Sequence, residues 1–87
     1  MSKIISVIIP CYNVEEHIER VVASILIQTF EDFELLIIND GSTDNTANIL
    51  LRIKELDPRI RVVNKVNQGV SMARNTGLDL ATGKYVV

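Results

Sequence analysis

Apolar positions along the chain alternate between two textures: short unbroken runs, and stretches that repeat every three or four residues. Ile4-Ile5-Ser6-Val7-Ile8-Ile9 is β-branched and nearly all apolar, the pattern of a strand buried on both faces. Pro10 is expected to close it, since proline cannot donate to a sheet ladder. Asn13 stands where an N-cap would, with Glu16 three residues on, the spacing of a capping box. Val14, Ile18, Val21, Val22, Ile25 and Leu26 then recur at helical spacing, which predicts an amphipathic helix over 14–28. Phe33-Glu34-Leu35-Leu36-Ile37-Ile38 reads as a second buried strand that stops at Asn39-Asp40-Gly41-Ser42. Asp44 or Thr43 can cap a helix over about 45–56, with Ala47, Ile49, Leu50, Ile53 and Leu56 apolar. Asp57-Pro58 ends that helix, because the residue before a proline disfavours the α region.

Ile60-Arg61-Val62-Val63 is a short third strand, and Asn67-Gln68-Gly69 a turn. Val70 to Ala81 reads as a third helix. Gly77 inside it suits close packing on a sheet, and Gly83 beyond its end is the expected C-cap. Tyr85-Val86-Val87 begins a fourth strand. The order is β-α-β-α-β-α-β. Helices of this length between strands imply right-handed crossovers, hence an α/β fold with a parallel sheet and helices on its faces. A terminal half-strand leaves an unpaired apolar edge, so the domain is expected to continue beyond Val87. That edge is also an expected surface for self-association.

Length and charge narrow the class. Eighty-seven residues make one domain or part of one. Apolar residues are 47% and charged residues 23%, a globular balance. A net charge of −2 argues against a surface built for nucleic acid or anionic lipid. The single cysteine, Cys11, cannot form an internal disulfide, which fits a reducing compartment. The longest aliphatic run, Leu35 to Ile38, is far short of a bilayer span, and the opening does not resemble a signal peptide. The expectation is a soluble cytoplasmic domain.

Candidate chemistry follows from the sheet. In parallel α/β folds ligands sit beyond the carboxyl ends of the strands. Those ends are Pro10-Cys11-Tyr12-Asn13, Asn39 to Asp44, and Asn64 to Gly69. Tyr12 and Asp40 end consecutive strands. An aromatic face can stack on a nucleobase, and an ionised carboxylate suits a ring N–H such as that of uracil N3. Backbone amides around Gly41-Ser42, ahead of a helix, could hold anionic oxygens. The plain alternative is that Asp40-Gly41 is an ordinary tight turn and Tyr12 merely covers a strand end.

Other chemistries find less support. Cys11 and His17 as nucleophile and base lack a third, orienting group; Cys11 reads better as a small residue at a strand end, and His17 lies on a solvated face beside Glu15, Glu16 and Glu19. Zinc spacings, a P-loop and a Gly-X-Gly-X-X-Gly fingerprint are all missing from the sequence. Arg52, Lys54, Arg59, Arg61 and Lys65 form a loose basic region interrupted by Glu55 and Asp57, which reads as solvated surface. A receiver-like regulatory domain would need an acidic cluster at the end of the first strand and an acid at the end of the third; here the first ends in Pro10-Cys11-Tyr12, and no acid follows the third before Asp79.

Four blocks in order carry a resemblance: Val7 to Asn13, Ser24 to Phe30, Phe33 to Asp44 and Asn67 to Leu78. Together they resemble the opening of family 2 glycosyltransferases. The resemblance implies a Rossmann-like GT-A fold, here reaching only the start of the fourth strand. It implies transfer of a sugar from a nucleotide-diphosphate donor, often a UDP-sugar, with inversion, to an acceptor hydroxyl on a glycan or lipid. Residues 1–87 would be the N-terminal, nucleotide-binding half. Pro10 and Tyr12 would line the base pocket, Asp40 would accept from the base N–H, and Arg74 and Asn75 would face the nucleotide, unless Arg74 pairs with Asp79 or Asp44. The chain departs from the family's Asp-Asp pair with Asn39-Asp40. The family's Asp-X-Asp motif, which holds Mg²⁺ or Mn²⁺, and its catalytic base are expected beyond Val87, so these residues alone are expected to lack transferase activity. The resemblance also allows a peripheral membrane attachment for the complete enzyme. The alternative is a non-enzymatic α/β regulatory or nucleotide-binding module.

Overall fold

The structure is a computed structural model and describes residues 5–27 and 32–87. Its elements are β1 (Ile5–Cys11), α1 (Ile18–Leu26), β2 (Phe33–Asp40), α2 (Thr46–Ile53), β3 (Ile60–Lys65), α3 (Val70–Leu80) and β4 (Tyr85–Val86). The strands form one parallel sheet in the order β3-β2-β1-β4. The expected order of elements and the parallel α/β class both hold. Residue 4 at the start of the first strand and residue 28 at the end of the first helix lie outside the described residues.

All eight residues of β2 are buried, as its unbroken apolar run demands. Its odd positions, Leu35 and Ile37, pack with Ile18 and Val22 of α1 and Ile49, Leu50 and Ile53 of α2. Its even positions, Leu36 and Ile38, pack with Ile8 and with Ala73 of α3. Period-2 alternation thus sends α1 and α2 to one face of the sheet and α3 to the other. Gly77 lets α3 lie close, since a Cβ there would meet Ile8 Cγ2 at 2.5 Å.

Several boundaries move, each for a local reason. Pro10 does not close β1, which continues to Cys11 and pairs through Pro10↔Ile38 and Cys11↔Asn39. The amide of Ile8 donates to Val87 O, on the β4 side. By period 2 the nitrogen of Pro10 faces that same side, so its missing N–H removes nothing from the β1–β2 ladder. β2 and β3 each run two residues beyond the expected ends, to Asp40 and Lys65, and pair there. α2 ends at Ile53, three residues early; Glu55 N bonds Arg52 O and Leu56 N bonds Ile53 O, tight turns that carry the chain to Asp57. Gly83 is not a C-cap. The cap residue of α3 is Ala81 in an extended conformation, and a Cβ on Gly83 would meet Ser6 N at 2.6 Å. Gly83 is small because the α3–β4 connection crosses directly over β1.

That crossing is tied by a polar group the hydrophobic pattern conceals. Glu34 is 5% exposed on the central strand. Its Oε2 accepts from the Ser6 hydroxyl, from Thr82 N at 2.6 Å and from the Thr82 hydroxyl at 2.9 Å. Gly83 N donates to Ser6 Oγ at 2.8 Å, and Arg61 Nη1 lies 3.6 Å from Glu34 Oε1. Burial pushes the Glu34 carboxyl up, but the hydrogen bonds from Ser6 and Thr82 and the Arg61 charge outweigh it and hold it below its ordinary 4.5. Because the folded value is the lower one, ionised Glu34 stabilises the fold above about pH 4.5, and this contribution is lost as pH falls through the folded value. Glu34→Gln is expected to lower stability at pH 7 by about 1–3 kcal/mol in urea titrations. Its difference from the native chain should shrink below about pH 4.5; an unchanged difference down to pH 3 would refute the assignment.

Candidate functional site

At the carboxyl end of the sheet, Pro10, Cys11, Tyr12, Asp40 and Val70 line a cavity of about 60 Å³. The register explains the meeting. Cys11 is the partner of Asn39, so Tyr12, one residue on, stands beside Asp40. Tyr12 is half exposed, while Asp40 is 3% exposed. Three of the five expected site residues therefore share one cavity. Arg74 and Asn75 are exposed on α3 and do not line it. Arg74 forms no ion pair with Asp79 or Asp44; the ion pairs among the described residues are Arg59–Asp57, Arg61–Glu34 and Lys65–Asp40.

Asp40 is more than a turn residue. Gln68 N donates to its Oδ1 and Gly69 N to its Oδ2, both at 2.9 Å. Lys65 Nζ lies 3.9 Å from Oδ1. A carboxylate offers about four lone-pair sites, so these bonds leave it able to accept more. Asn67 Nδ2 donates to the Asp40 carbonyl at 2.9 Å. The β3–α3 loop is so closely applied that a Cβ on Gly41 would meet Asn67 N at 2.6 Å. Gly41 also has φ 68°, so both sterics and conformation require glycine there.

The neighbouring loops correct two expectations. Asn13 does not cap α1, which starts at Ile18 with no side-chain cap. It sits at φ 52°, a left-handed conformation that asparagine tolerates. Its Oδ1 accepts from Thr43 N at 2.8 Å and Asp44 N at 3.3 Å, and its Nδ2 donates to Thr43 Oγ1 at 3.2 Å. Ser42 N donates to Asn39 Oδ1 at 3.2 Å. The amides of residues 42–44 are thus already engaged by side chains, which overturns their expected use as an anion cradle. In return the β2–α2 segment holds the β1–α1 loop. Ser42 Oγ accepts from Asn13 N, Thr46 Oγ1 from Val14 N and Asp44 Oδ2 from Glu15 N. Asp44 Oδ1 also accepts from Thr46 N at 2.9 Å, so Asp44, not Thr43, braces the start of α2. Desolvation raises the Asp44 carboxyl, but the bonds from Thr46 and Glu15 outweigh it and hold it below its ordinary value.

Burial pushes the Cys11 thiol up to about 11, so it is protonated at neutral pH and unsuited to nucleophilic attack. His17 is exposed. The basic region is only partly solvated surface. Arg59 chelates Asp57 and lies 4.3 Å from the Phe33 ring centroid, Arg61 reaches Glu34, and the Lys65 side chain is 14% exposed. Charge runs in sequence do not show which cations a strand will turn inward. Lys65 was read as surface for that reason, and the roles of Glu34 and Thr46 escaped the sequence reading because their partners lie far away in the chain. Among the described residues no group of three or more His, Cys, Asp or Glu side chains could hold a metal ion. No helix among them is long and apolar enough to cross a membrane.

The parallel sheet, ordered β3-β2-β1-β4, thus places an aromatic and an acid on a cavity at its carboxyl end, where α/β folds of this kind hold their ligands. Residues 6–87 match the family described as glycosyl transferase family 2, and the chain belongs to that family. It is 43% identical to an uncharacterized glycosyltransferase, EpsJ, of Bacillus subtilis over 99% of this chain and 25% of the relative. It is 41% identical to a chondroitin synthase of Pasteurella multocida over 95% of this chain and 9% of that enzyme. Among solved structures, S. aureus TarS in complex with UDP-GlcNAc superposes with a TM-score of 0.87 at 32% identity, over 97% of this chain and 25% of that one. A mannosyltransferase from Pyrobaculum calidifontis in complex with GDP-Man and Mn²⁺ gives 0.89 at 30%, over 99% of this chain and 26% of that one. The chain thus spans about a quarter of the EpsJ relative and of these structures, and less of the synthase. The fold is that of GT-A glycosyltransferases, and the regulatory-module alternative is set aside.

The loop clasp can be tested directly. Asn13→Ala removes both the acceptor for two amides and the tolerance for φ 52°, and is expected to lower stability by about 1–2 kcal/mol. Asn13→Gly keeps the conformation and should fall between the two in urea titrations. Equal loss in both variants would show that the side-chain bonds, not the backbone, dominate.

Proposed function

We propose that this chain is the donor-nucleotide-binding portion of an inverting glycosyltransferase that moves a sugar from a nucleoside diphosphate, UDP in the first instance, to an acceptor hydroxyl. The observation that carries the reading is the shared cavity of Pro10, Tyr12 and Asp40 in a chain of this family. The ring of Tyr12 offers a stacking surface. The Asp40 carboxylate is held in place by the amides of Gln68 and Gly69 and retains acceptor capacity for a ring N–H. Arg74, exposed and without an acidic partner among the described residues, is placed to meet a diphosphate in this reading, and Asn75 stands next to it. The acceptor in this reading is a glycan or a lipid-linked glycan, with support from the likeness to a polysaccharide synthase.

A divalent metal, Mg²⁺ or Mn²⁺, belongs to the complete enzyme in this proposal, supported by the Mn²⁺ in the related mannosyltransferase complex. The described residues do not offer it a site. The acceptor site and catalytic base belong to the same larger protein, so these residues alone bind donor without turnover. The free, buried Cys11 supports a cytoplasmic placement. Exposed Tyr85, Val86 and Val87 support self-association along the β4 edge.

Calorimetric titration with UDP tests the reading. Tyr12→Ala is expected to weaken UDP binding about tenfold or more, the loss of one base-stacking surface, while Tyr12→Phe keeps it. UDP binding indifferent to Tyr12→Ala would overturn the assignment.

A further inference from the structure

Three strands end in one row. Tyr12 follows Cys11, the partner of Asn39, and Asp40 is itself the partner of Lys65. The row therefore reads aromatic, acid, base across β1, β2 and β3. All three positions belong to the α3 side of the sheet. Ile38 and Ile8 pack there, and Asp40 and Pro10 follow them by period 2. Val63, two residues before Lys65, packs there too.

Lys65 stands next to Asp40 without itself lining the cavity, and it is held, not loose. Its side chain is 14% exposed, and its Nζ donates to Gln68 Oε1 at 2.7 Å. Gln68 is the same residue whose amide donates to Asp40 Oδ1. An ammonium has three donors, so the bond to Gln68 leaves others to give. The 3.9 Å between Nζ and Asp40 Oδ1 is too long for a hydrogen bond. It is, however, a workable spacing for two partners that address adjacent atoms on the edge of one base.

We propose that Lys65 and Asp40 together select the base, Asp40 accepting from a ring N–H and Lys65 donating to the neighbouring ring carbonyl. The proposal rests on the donor-site reading above and deepens it. An ionised carboxylate only accepts and an ammonium only donates. The pair therefore complements an N–H beside a C=O, as in uracil. Guanine presents the same two groups side by side. Cytosine presents the reverse, an acceptor nitrogen beside an amino group, and would meet the carboxylate with a lone pair and the ammonium with N–H bonds. Each wrong pairing leaves a nearly buried charge facing the wrong partner, which is the strongest form of rejection a small site can offer.

The test is calorimetric titration of the native chain, Lys65→Met and Lys65→Arg with UDP, CDP and GDP. The native chain should bind UDP about tenfold or more tighter than CDP. Lys65→Met should lose about tenfold for UDP while CDP is unchanged or improves; Lys65→Arg, which keeps a donor, should retain the preference. If Lys65→Met fails to fold by circular dichroism, Lys65→Gln serves instead, since its amide can face either edge and should flatten the UDP to CDP ratio. A ratio unchanged in a folded Lys65→Met or Lys65→Gln chain would overturn the role of Lys65 and leave the donor site standing. A native chain that binds none of the three would overturn the donor-site reading itself.

Discussion

The structure turns on one buried carboxylate. Asp40 ends the central strand, is almost fully out of solvent, and takes two backbone amides from the loop that leads into α3. Each hydrogen bond to a charged group contributes about 1.5–3 kcal/mol, and here the pair fixes where α3 begins. Val70, the first residue of α3, then lines the cavity together with Pro10 and Tyr12. The same group that shapes the cavity also faces it. A carboxylate whose geometry is set by backbone amides is a preorganised acceptor, and it need not rearrange to meet a ligand.

The adjacent position shows why an amide can replace an acid. Asn39 is 4% exposed; its Nδ2 donates to Asn64 Oδ1 at 2.9 Å while its Oδ1 accepts from Ser42 N. A carboxylate could do only the second of these. The position at which the resemblance led to an acid is therefore filled by a cross-strand amide pair that ties β2 to β3 next to Asp40. Asparagine at 13 plays a comparable part on the other flank, where it shares the work of holding the loops with the acid Asp44.

Element order, the parallel sheet and the meeting of Tyr12 with Asp40 were legible in the sequence, because they follow from hydrophobic period and from the rule for strand ends. Glu34 was not, because a single acid inside an apolar run looks like a solvated residue until its partners, Ser6 and Thr82, arrive from 28 and 48 positions away. Asn13 misled for a related reason: a capping spacing is a local signal, and the long-range demand of two unpaired amides in the β2–α2 segment outweighed it. Lys65 looked like part of a diffuse basic surface, since only the register with Asp40 shows that it points back over the sheet. What escaped the one-dimensional pattern is in each case polar and non-local.

Pro10 carries a consequence of its own. With its ring nitrogen turned towards the β4 side, β1 has no further donor to offer a parallel neighbour at that level. That flank of β1 is also where the winding of the sheet reverses, since β2 and β3 follow on one side of β1 and β4 lies on the other. A residue chosen for what it cannot donate thus stands at the switch point beside Tyr12, at the end of the sheet where such folds place their ligands.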